Sequence, residues 1–138
     1  MSNHLRYSIT GSDGEVIVED LVTSVKQVLE SFASVDWQAE LQTEIEFGAN
    51  AGLGWPAHIT IERSHDNFIM IVPSPYGLWG KYSFSNEKTK MFFLKTTEQE
   101  TIEFEGLALK DAGPIMKNYI LNKHEELLVL VGEVIKGP

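Results

Sequence analysis

The chain has 138 residues, enough for one domain, and its 43% hydrophobic and 22% charged residues are ordinary for a globular protein, which excludes a disordered chain. It contains no cysteine, so disulfide frameworks, thiolate metal sites and thiol nucleophiles are excluded. The net charge is −9, and residues 1–69 hold eleven acids against three bases, which predicts a basic partner and disfavours nucleic acid and anionic membranes.

The N-terminal segment does not predict a signal peptide. Residues 1–10 are polar and lack the apolar region that a signal peptide requires. The longest apolar run, Leu127 to Val131, is too short to span a bilayer. We therefore expect a cytoplasmic protein that does not bind membranes.

Residues 4–34 predict a β-hairpin followed by a helix. Apolar and polar residues alternate over 4–10, a Gly-Ser-Asp-Gly turn occupies 11–14, and residues 15–19 form a second strand. Asp20 is placed to cap a helix over residues 20–34, because its carboxylate can accept backbone N–H groups. The expected buried face of this helix is Leu21, Val25, Val28, Leu29 and Phe32.

From Trp37 to Phe47 the period changes from helical spacing to two. This alternation predicts a strand with one apolar face and one acidic face, on which Glu40, Glu44 and Glu46 lie. We expect that acidic face to contact a basic partner. A loop of small residues over 48–56 follows and ends in Trp55.

Residues 58–104 predict an antiparallel meander. Segments 58–63 and 68–72 form a hairpin around a His-Asp-Asn turn, and further strands are expected at 81–84, 90–95 and 101–104. A second loop over 73–80 carries Tyr76 and Trp79. Aromatic side chains on such loops either provide contact anchors or fold back over the core, and carbohydrate stacking is a third use of these rings.

The C-terminal part predicts helix from Asp111, which can cap a first turn that contains Pro114. Residues 125–134 fit either a helix or, over 127–131, a buried strand. The fold class is therefore α+β, a single antiparallel sheet (a meander) packed against an N-terminal amphipathic helix and a C-terminal helix. We expect residues 1–138 to form a single domain.

Catalytic and cofactor motifs are missing from the sequence, which has no phosphate-binding glycine loop and no Gly-x-Ser-x-Gly elbow. His58 and His65 could approach each other across the predicted hairpin, close to Glu62, and imidazole and carboxylate suit zinc. The more ordinary interpretation is two polar residues at strand ends, so we expect no metal and no cofactor.

The segment Thr101-Ile102-Glu103-Phe104-Glu105-Gly106-Leu107-Ala108-Leu109-Lys110-Asp111-Ala112, which leads into residues 114–122, resembles the late strand-then-helix unit of small acidic immunity proteins that neutralise bacterial polymorphic toxins. The chain is also similar to them in size, acidity and lack of cysteine. The resemblance covers about a quarter of the chain and implies a toxin-blocking partner, with no catalytic residue to carry over.

The predicted function is therefore a protein-binding inhibitor whose candidate contact residues are Glu40, Glu44, Glu46, Trp55, Tyr76 and Trp79. Two alternatives remain open. One is a small hydrolase or isomerase that uses His58, Glu62 and His65. The other is an adaptor that binds peptides along an open sheet edge.

Overall fold

A computed structural model of the chain describes residues 5–11, 15–37, 39, 57–74, 77–90 and 94–136. Within these ranges the side chains of 74, 86–90, 94–98 and 132–136 are outside the description.

Six strands and three helices form the described structure. In chain order they are β1 (Arg6–Thr10), β2 (Val16–Leu21), α1 (Val25–Ser34), β3 (His58–Ser64), β4 (Asn67–Ser74), β5 (Gly77–Lys90), β6 (Leu94–Leu107), a 3-10 turn (Leu109–Asp111), α2 (Ala112–Ile120) and α3 (His124–Lys136). The strands make one sheet in the order β2-β1-β3-β4-β5-β6, and every neighbouring pair is antiparallel. The predicted α+β class with a single antiparallel sheet is confirmed.

The core lies between the helices and one face of the sheet. Because side chains alternate along a strand, every second residue of β1, β3, β4 and β5 points toward the helices. The largest fully buried side chains that the sheet directs into this core are Ile9, Ile59, Ile61, Ile69, Ile71 and Leu78, and those from the helices are Val28, Ile115, Met116, Leu127 and Val131.

The first helix begins later than the sequence predicts, and two strands precede it. Asp20 and Leu21 belong to β2, where they pair with Tyr7 and Arg6, and Leu21 is 42% exposed. The N-cap is Ser24, whose hydroxyl accepts a hydrogen bond from the N–H of Gln27 at 3.0 Å. The prediction of a helix start at Asp20 is wrong because cross-strand pairing to β1 determines the conformation of residues 20–21, which the local spacing cannot show.

The phase of the helix agrees with the prediction in its interior. Val28 and Phe32 are buried, and Val25 and Leu29 are half-buried. Leu29 approaches α2 closely enough that a Cβ added to Gly113 would lie 4.0 Å from its side chain. The face predicted to be buried therefore faces the core from Val25 onward.

The strand predicted from Trp37 is wrong at its start. Trp37 and Ala39 have helical backbone, and the Asp36 carboxylate accepts the Ala39 N–H at 3.1 Å, as an N-cap does. The buried Trp37 indole donates to the Phe32 carbonyl oxygen at 2.9 Å, which holds this segment against α1. The remaining predicted acidic strand lies outside the described residues.

The later strands are longer than predicted. Segments 81–84 and 101–104 belong to β5 and β6, which have 14 residues each. Of the strand predicted at 90–95, Lys90 ends β5, Leu94 begins β6, and residues 91–93 lie outside the described part of the chain. Residues 125–134, for which helix and strand both fitted, lie in α3. In the part of the chain that the structure describes, no helix has the length and apolar character needed to cross a membrane.

Candidate protein-interaction face

The sheet has a second face, turned away from the helices, which we call the outer face. Directly opposite residues on antiparallel strands point to the same side, so the register places Thr60, Met70, Lys81 and Glu103 in one row across four strands. The adjacent rows follow from the same pairing. The outer face contains Arg6, Ser8, Glu19, Thr60, Glu62, Phe68, Met70, Val72, Trp79, Lys81, Ser83, Thr101, Glu103 and Glu105.

The centre of the outer face is apolar. Phe68 and Met70 on β4 and Trp79 on β5 are half-buried, and Val72, directly opposite Trp79, is only 1% exposed. The exposed parts of Phe68, Met70 and Trp79 form an apolar area at the middle of this face, a composition that protein-interaction surfaces share.

Acidic residues lie around this centre. Glu19, Glu103 and Glu105 are exposed and Glu62 is half-buried, whereas the Arg and Lys side chains that the structure describes on the outer face are Arg6 and Lys81. Glu103 lies opposite Lys81, and Glu105 lies opposite Trp79. Glu105 therefore lies next to the Trp79 ring, and Glu103 lies next to Lys81.

A shallow pocket of about 140 Å³ lies on the outer face across β2, β1 and β3. Arg6 and Ser8 contribute to its lining together with Glu19, Thr60 and Glu62. Arg6 is directly opposite Glu62 in the register, so the one base in the pocket is balanced by two acids. This charge balance disfavours an anionic ligand such as a phosphate.

Ser83 is the one fully buried polar side chain among the residues that the structure describes. Its hydroxyl donates to the Asp66 carbonyl oxygen at 3.2 Å and accepts from the Gln99 side-chain amide at 2.6 Å. Gln99 also donates to the Asp66 carbonyl at 3.3 Å. Neither partner is a base, so this serine ties the β3–β4 turn to β5 and β6 and is not an activated nucleophile.

The β3–β4 turn is also ordered by its own side chains. The Ser64 hydroxyl donates to the Asp66 carboxylate at 2.6 Å. This hydrogen bond, together with the charge of His65, lowers the pKa of Asp66 below its usual value. The turn thus keeps an ionised acid at one end of the sheet.

On the helix side of the sheet, Arg63 joins β3 to α2. Its guanidinium donates to the Tyr119 carbonyl oxygen at 2.6 Å and lies 5.1 Å from the centre of the Tyr119 ring. The Tyr119 hydroxyl donates to Asn67, whose side-chain oxygen is 2.8 Å away. Burial raises the pKa of Tyr119 well above its usual value, against the lowering influence of the Arg63 charge.

A second polar contact joins β5 to α3. The Tyr82 hydroxyl and the Nδ1 atom of His124 are 2.8 Å apart, and Phe84 packs against the same imidazole with ring centres 4.6 Å apart. Burial raises the pKa of Tyr82. These contacts fix α3 on the face of the sheet opposite the outer face.

The proposed catalytic set is not assembled. His58 and Glu62 lie on β3, and His65 lies in the turn beyond its other end. His58 is the first residue of β3 and His65 follows its last residue, so the two are seven residues apart, about 23 Å at the rise of an extended chain. The expectation that the two histidines approach each other across the hairpin is wrong, because both belong to the same side of it. Within the described ranges no group of three or more His, Asp or Glu side chains could hold a metal ion.

Of the residues predicted to contact a partner, the structure places Trp79 on the outer face. It belongs to β5 and not to a loop, because β4 extends to Ser74 and β5 begins at Gly77, whose φ is +115°. The predicted 73–80 loop is therefore wrong, and only residues 75–76 lie between the strands. The other predicted contact residues lie outside the described part of the chain: Glu40, Glu44, Glu46, Trp55 and Tyr76.

Sequence reasoning did not select Phe68, Met70, Glu103 or Glu105 as contact residues. The available signal was the period-two alternation of segments 67–72 and 101–105, which places these side chains on one face of each strand. What the pattern lacked was the strand order, which brings β4, β5 and β6 side by side. Comparison with protein-family models, with curated proteins and with solved structures found no match.

Proposed function

We propose that this protein is a protein-binding inhibitor, an immunity protein that neutralises a basic toxin domain in the bacterial cytoplasm through an acidic surface. The observation that carries the proposal is the outer face of the sheet, with its half-buried apolar centre at Phe68, Met70 and Trp79 and its acidic surroundings. The net charge of −9 supports a partner of opposite sign.

The two parts of the outer face have different roles in binding. Trp79 is the anchor, because aromatic side chains at the centre of an interface contribute most to affinity. Glu103 and Glu105 steer the partner, since exposed charges at an interface chiefly raise the rate of encounter. Covering a toxin domain in this way inhibits it without any chemical step.

Co-expression with the protein encoded by the adjacent gene tests this function. We expect that protein alone to stop bacterial growth, and co-expression of the wild-type chain to restore growth. Trp79→Ala should abolish the rescue. Val129→Ala is the matched control, because Val129 is a 57% exposed apolar residue on α3, away from the outer face. Normal growth with the adjacent protein alone, or rescue by Trp79→Ala equal to wild type, contradicts the proposal.

The charge contribution is measured with the purified pair. Glu103→Gln/Glu105→Gln should slow association at low salt, and the difference from wild type should shrink at physiological salt because ions screen the removed charges. Glu125→Gln/Glu126→Gln removes the same charge from the exposed first turn of α3 and should leave the association rate closer to wild type. Equal slowing by both double variants would show that only the overall charge matters.

A further inference from the structure

The two edges of the sheet differ in how their outward backbone groups are satisfied. The N–H of Val22 donates to the Leu5 carbonyl at 2.8 Å. The backbone N–H and C=O groups of the even-numbered residues of β2 near this bond are therefore directed toward β1, and those of Glu19 and Leu21 are directed away from it. Carried from strand to strand through the register, the alternation of antiparallel pairs makes Gly80–Phe104 and Tyr82–Ile102 hydrogen-bonded pairs at the other edge. The backbone N–H and C=O groups of Thr101, Glu103 and Glu105 are therefore directed outward, away from β5.

The β2 edge is blocked at its C-terminal end. The Leu21 N–H donates to the side chain of Asp20 at 2.8 Å, and the Leu21 carbonyl accepts from the Gln27 amide at 3.1 Å. An incoming strand would have to break both bonds. Intramolecular blocking of this kind is one way in which proteins prevent their sheet edges from pairing with other chains.

The β6 edge is open over its described side chains. Thr101, Glu103 and Glu105 are exposed, and within the residues that the structure describes their outward N–H and C=O groups have no partner. A β-bulge at Gly106, where φ is +81°, ends the regular pairing just beyond Glu105. The outward backbone N–H and C=O groups of Gln99, Thr101, Glu103 and Glu105 thus form an unbroken row.

The negative charge of β6 favours pairing with a basic strand over pairing with a second copy of this chain. Residues 98–109 contain four acids and no base. A second copy of the chain that paired antiparallel through β6, centred on Glu103, would place two Glu103 side chains directly opposite each other, and like charges at opposed positions destabilise a sheet. A strand with Lys or Arg at alternate positions would instead place its charges opposite Glu103 and Glu105, and its intervening apolar residues beside the half-buried Ile102.

We propose that the β6 edge captures an extended segment of the partner, with basic residues at alternate positions, which adds a seventh strand to the sheet. The inference rests on the proposed function for the identity of the partner, since that function requires a basic protein. Main-chain hydrogen bonds along residues 99–105 would provide affinity, and Glu103 and Glu105 would provide selectivity.

The probe for this edge is the capped peptide acetyl-Thr-Lys-Val-Lys-Val-Lys-Thr-amide, titrated into the isotope-labelled chain and followed by NMR. We expect the amide signals of residues 99–105 to shift and become protected from hydrogen exchange, and those of β2 to remain unchanged. The same peptide with Glu in place of Lys should not bind, because its charges would oppose Glu103 and Glu105.

Proline variants separate the backbone contribution from the charge. Thr101→Pro removes an outward N–H without changing charge, and proline is tolerated where an edge strand directs its N–H to solvent. It should weaken peptide binding about tenfold, the factor expected for one lost main-chain hydrogen bond and the local misfit. Glu103→Pro should weaken binding further because it also removes a charge. Ile17→Pro on β2, an exposed position on the strand at the opposite edge of the sheet, is the control for a proline in an edge strand, and it should bind the peptide as wild type does.

The outcomes distinguish this inference from the proposed function. Wild-type affinity in Thr101→Pro and Glu103→Pro, or peptide-induced shifts on β2 in place of β6, overturns the edge inference. If the adjacent-gene protein binds both β6 variants as tightly as wild type, the edge inference fails and the inhibitor function stands. If that protein does not bind the wild-type chain, the proposed function fails, and the peptide titration still decides the edge. A variant that does not fold by circular dichroism is replaced in these comparisons by the other proline variant.

Discussion

Removing the Arg63 guanidinium should destabilise the protein more than removing any exposed cation. Arg63 is half-buried and donates to the Tyr119 carbonyl oxygen at 2.6 Å, one residue before the end of α2. Its second, longer contact is to the Ile120 carbonyl at 3.4 Å. The Tyr119 carbonyl also accepts the Asn122 N–H at 3.1 Å, so Arg63 is a second, charged donor that a neighbouring strand supplies to the C-terminal end of α2.

Three contributions set the size of the effect in Arg63→Met, which keeps most of the aliphatic stem. A hydrogen bond from a charged donor contributes about 1.5–3 kcal/mol. The guanidinium 5.1 Å from the Tyr119 ring centre adds an interaction of about 0.5–1 kcal/mol, and a cation at a helix C-terminus adds about 0.3–1 kcal/mol. Because all three come from one group, which is partly desolvated, they do not add fully. We expect an overall loss of about 2–3 kcal/mol, or about 7–10 °C in melting temperature for a chain of this length.

Urea unfolding followed by tryptophan fluorescence measures this loss, with Arg6→Met as the matched control. Arg6 is exposed on the outer face, so its replacement should change the free energy of unfolding by less than about 0.5 kcal/mol. Arg63→Lys should fall between wild type and Arg63→Met, because it retains the charge and loses the planar fork. Equal stability of Arg63→Met and Arg6→Met would refute this role of Arg63.

Two further predictions concern the sheet and its buried tyrosine. Gly80→Ala should lower the free energy of unfolding by at least about 3 kcal/mol, measured with urea, because the added Cβ would collide with the Met70 carbonyl oxygen on the adjacent strand. Gly113→Ala in α2 is the control: its Cβ meets only ordinary contact, and the change should be neutral or stabilising by up to about 1 kcal/mol. Equal effects of the two substitutions would contradict this account. Because the pKa of Tyr119 is raised in the folded state, the folded protein keeps the hydroxyl proton above about pH 10, where the unfolded chain releases it. The contribution of Tyr119 to stability is therefore complete below that pH and is lost as the pH rises further. Tyr119→Phe removes the hydrogen bonds to Asn67 and should lower the free energy of unfolding by about 1–2 kcal/mol at pH 7. Between about pH 9 and pH 11 the stability of this variant should decline less steeply than that of wild type. Parallel declines in the two proteins would show that other groups cause the alkaline loss.

Local alternation predicted the strands well where one face is buried. In segments 58–63 and 68–72, isoleucines at every second position are all buried against the helices, so period two and the fold agree. The turn between them also lies where the sequence indicates, since its polar residues favour a tight connection. These features depend on residues close together in sequence.

The errors arise where a distant part of the chain decides the local structure. Residues 20–21 have helical spacing with the residues that follow, yet they pair with β1. Trp37 begins an alternating run, but its indole hydrogen bond to Phe32 and the Asp36 cap favour a helical start. The hydrogen bond from a side chain to a preceding helix is a tertiary interaction, and the alternation of apolar and polar residues along the chain does not reveal it.

The candidate site was less predictable than the fold for a related reason. Trp79 was selected for its residue type, whereas its position beside Val72 and Glu105 depends on the pairing of three strands. Likewise, Glu103 and Glu105 alternate in the sequence as a solvated face would, and nothing local distinguishes them from ordinary surface acids. Their significance comes from β6 being the terminal strand of the sheet, with its outward backbone groups unblocked.

The placement of Glu103 gives it two separable effects on binding. Its carboxylate belongs to the outer face and contributes to the field that draws a basic partner, and its backbone N–H belongs to the edge that we propose pairs with the partner's strand. Charge acts mainly on the association rate, whereas hydrogen bonds formed after docking act mainly on dissociation. Glu103→Gln should therefore slow association in a salt-dependent way, and Thr101→Pro, which leaves the charge unchanged, should speed dissociation at any salt concentration. If both variants altered only the association rate, the acids would steer the partner toward the outer face and β6 would not be extended by a partner strand.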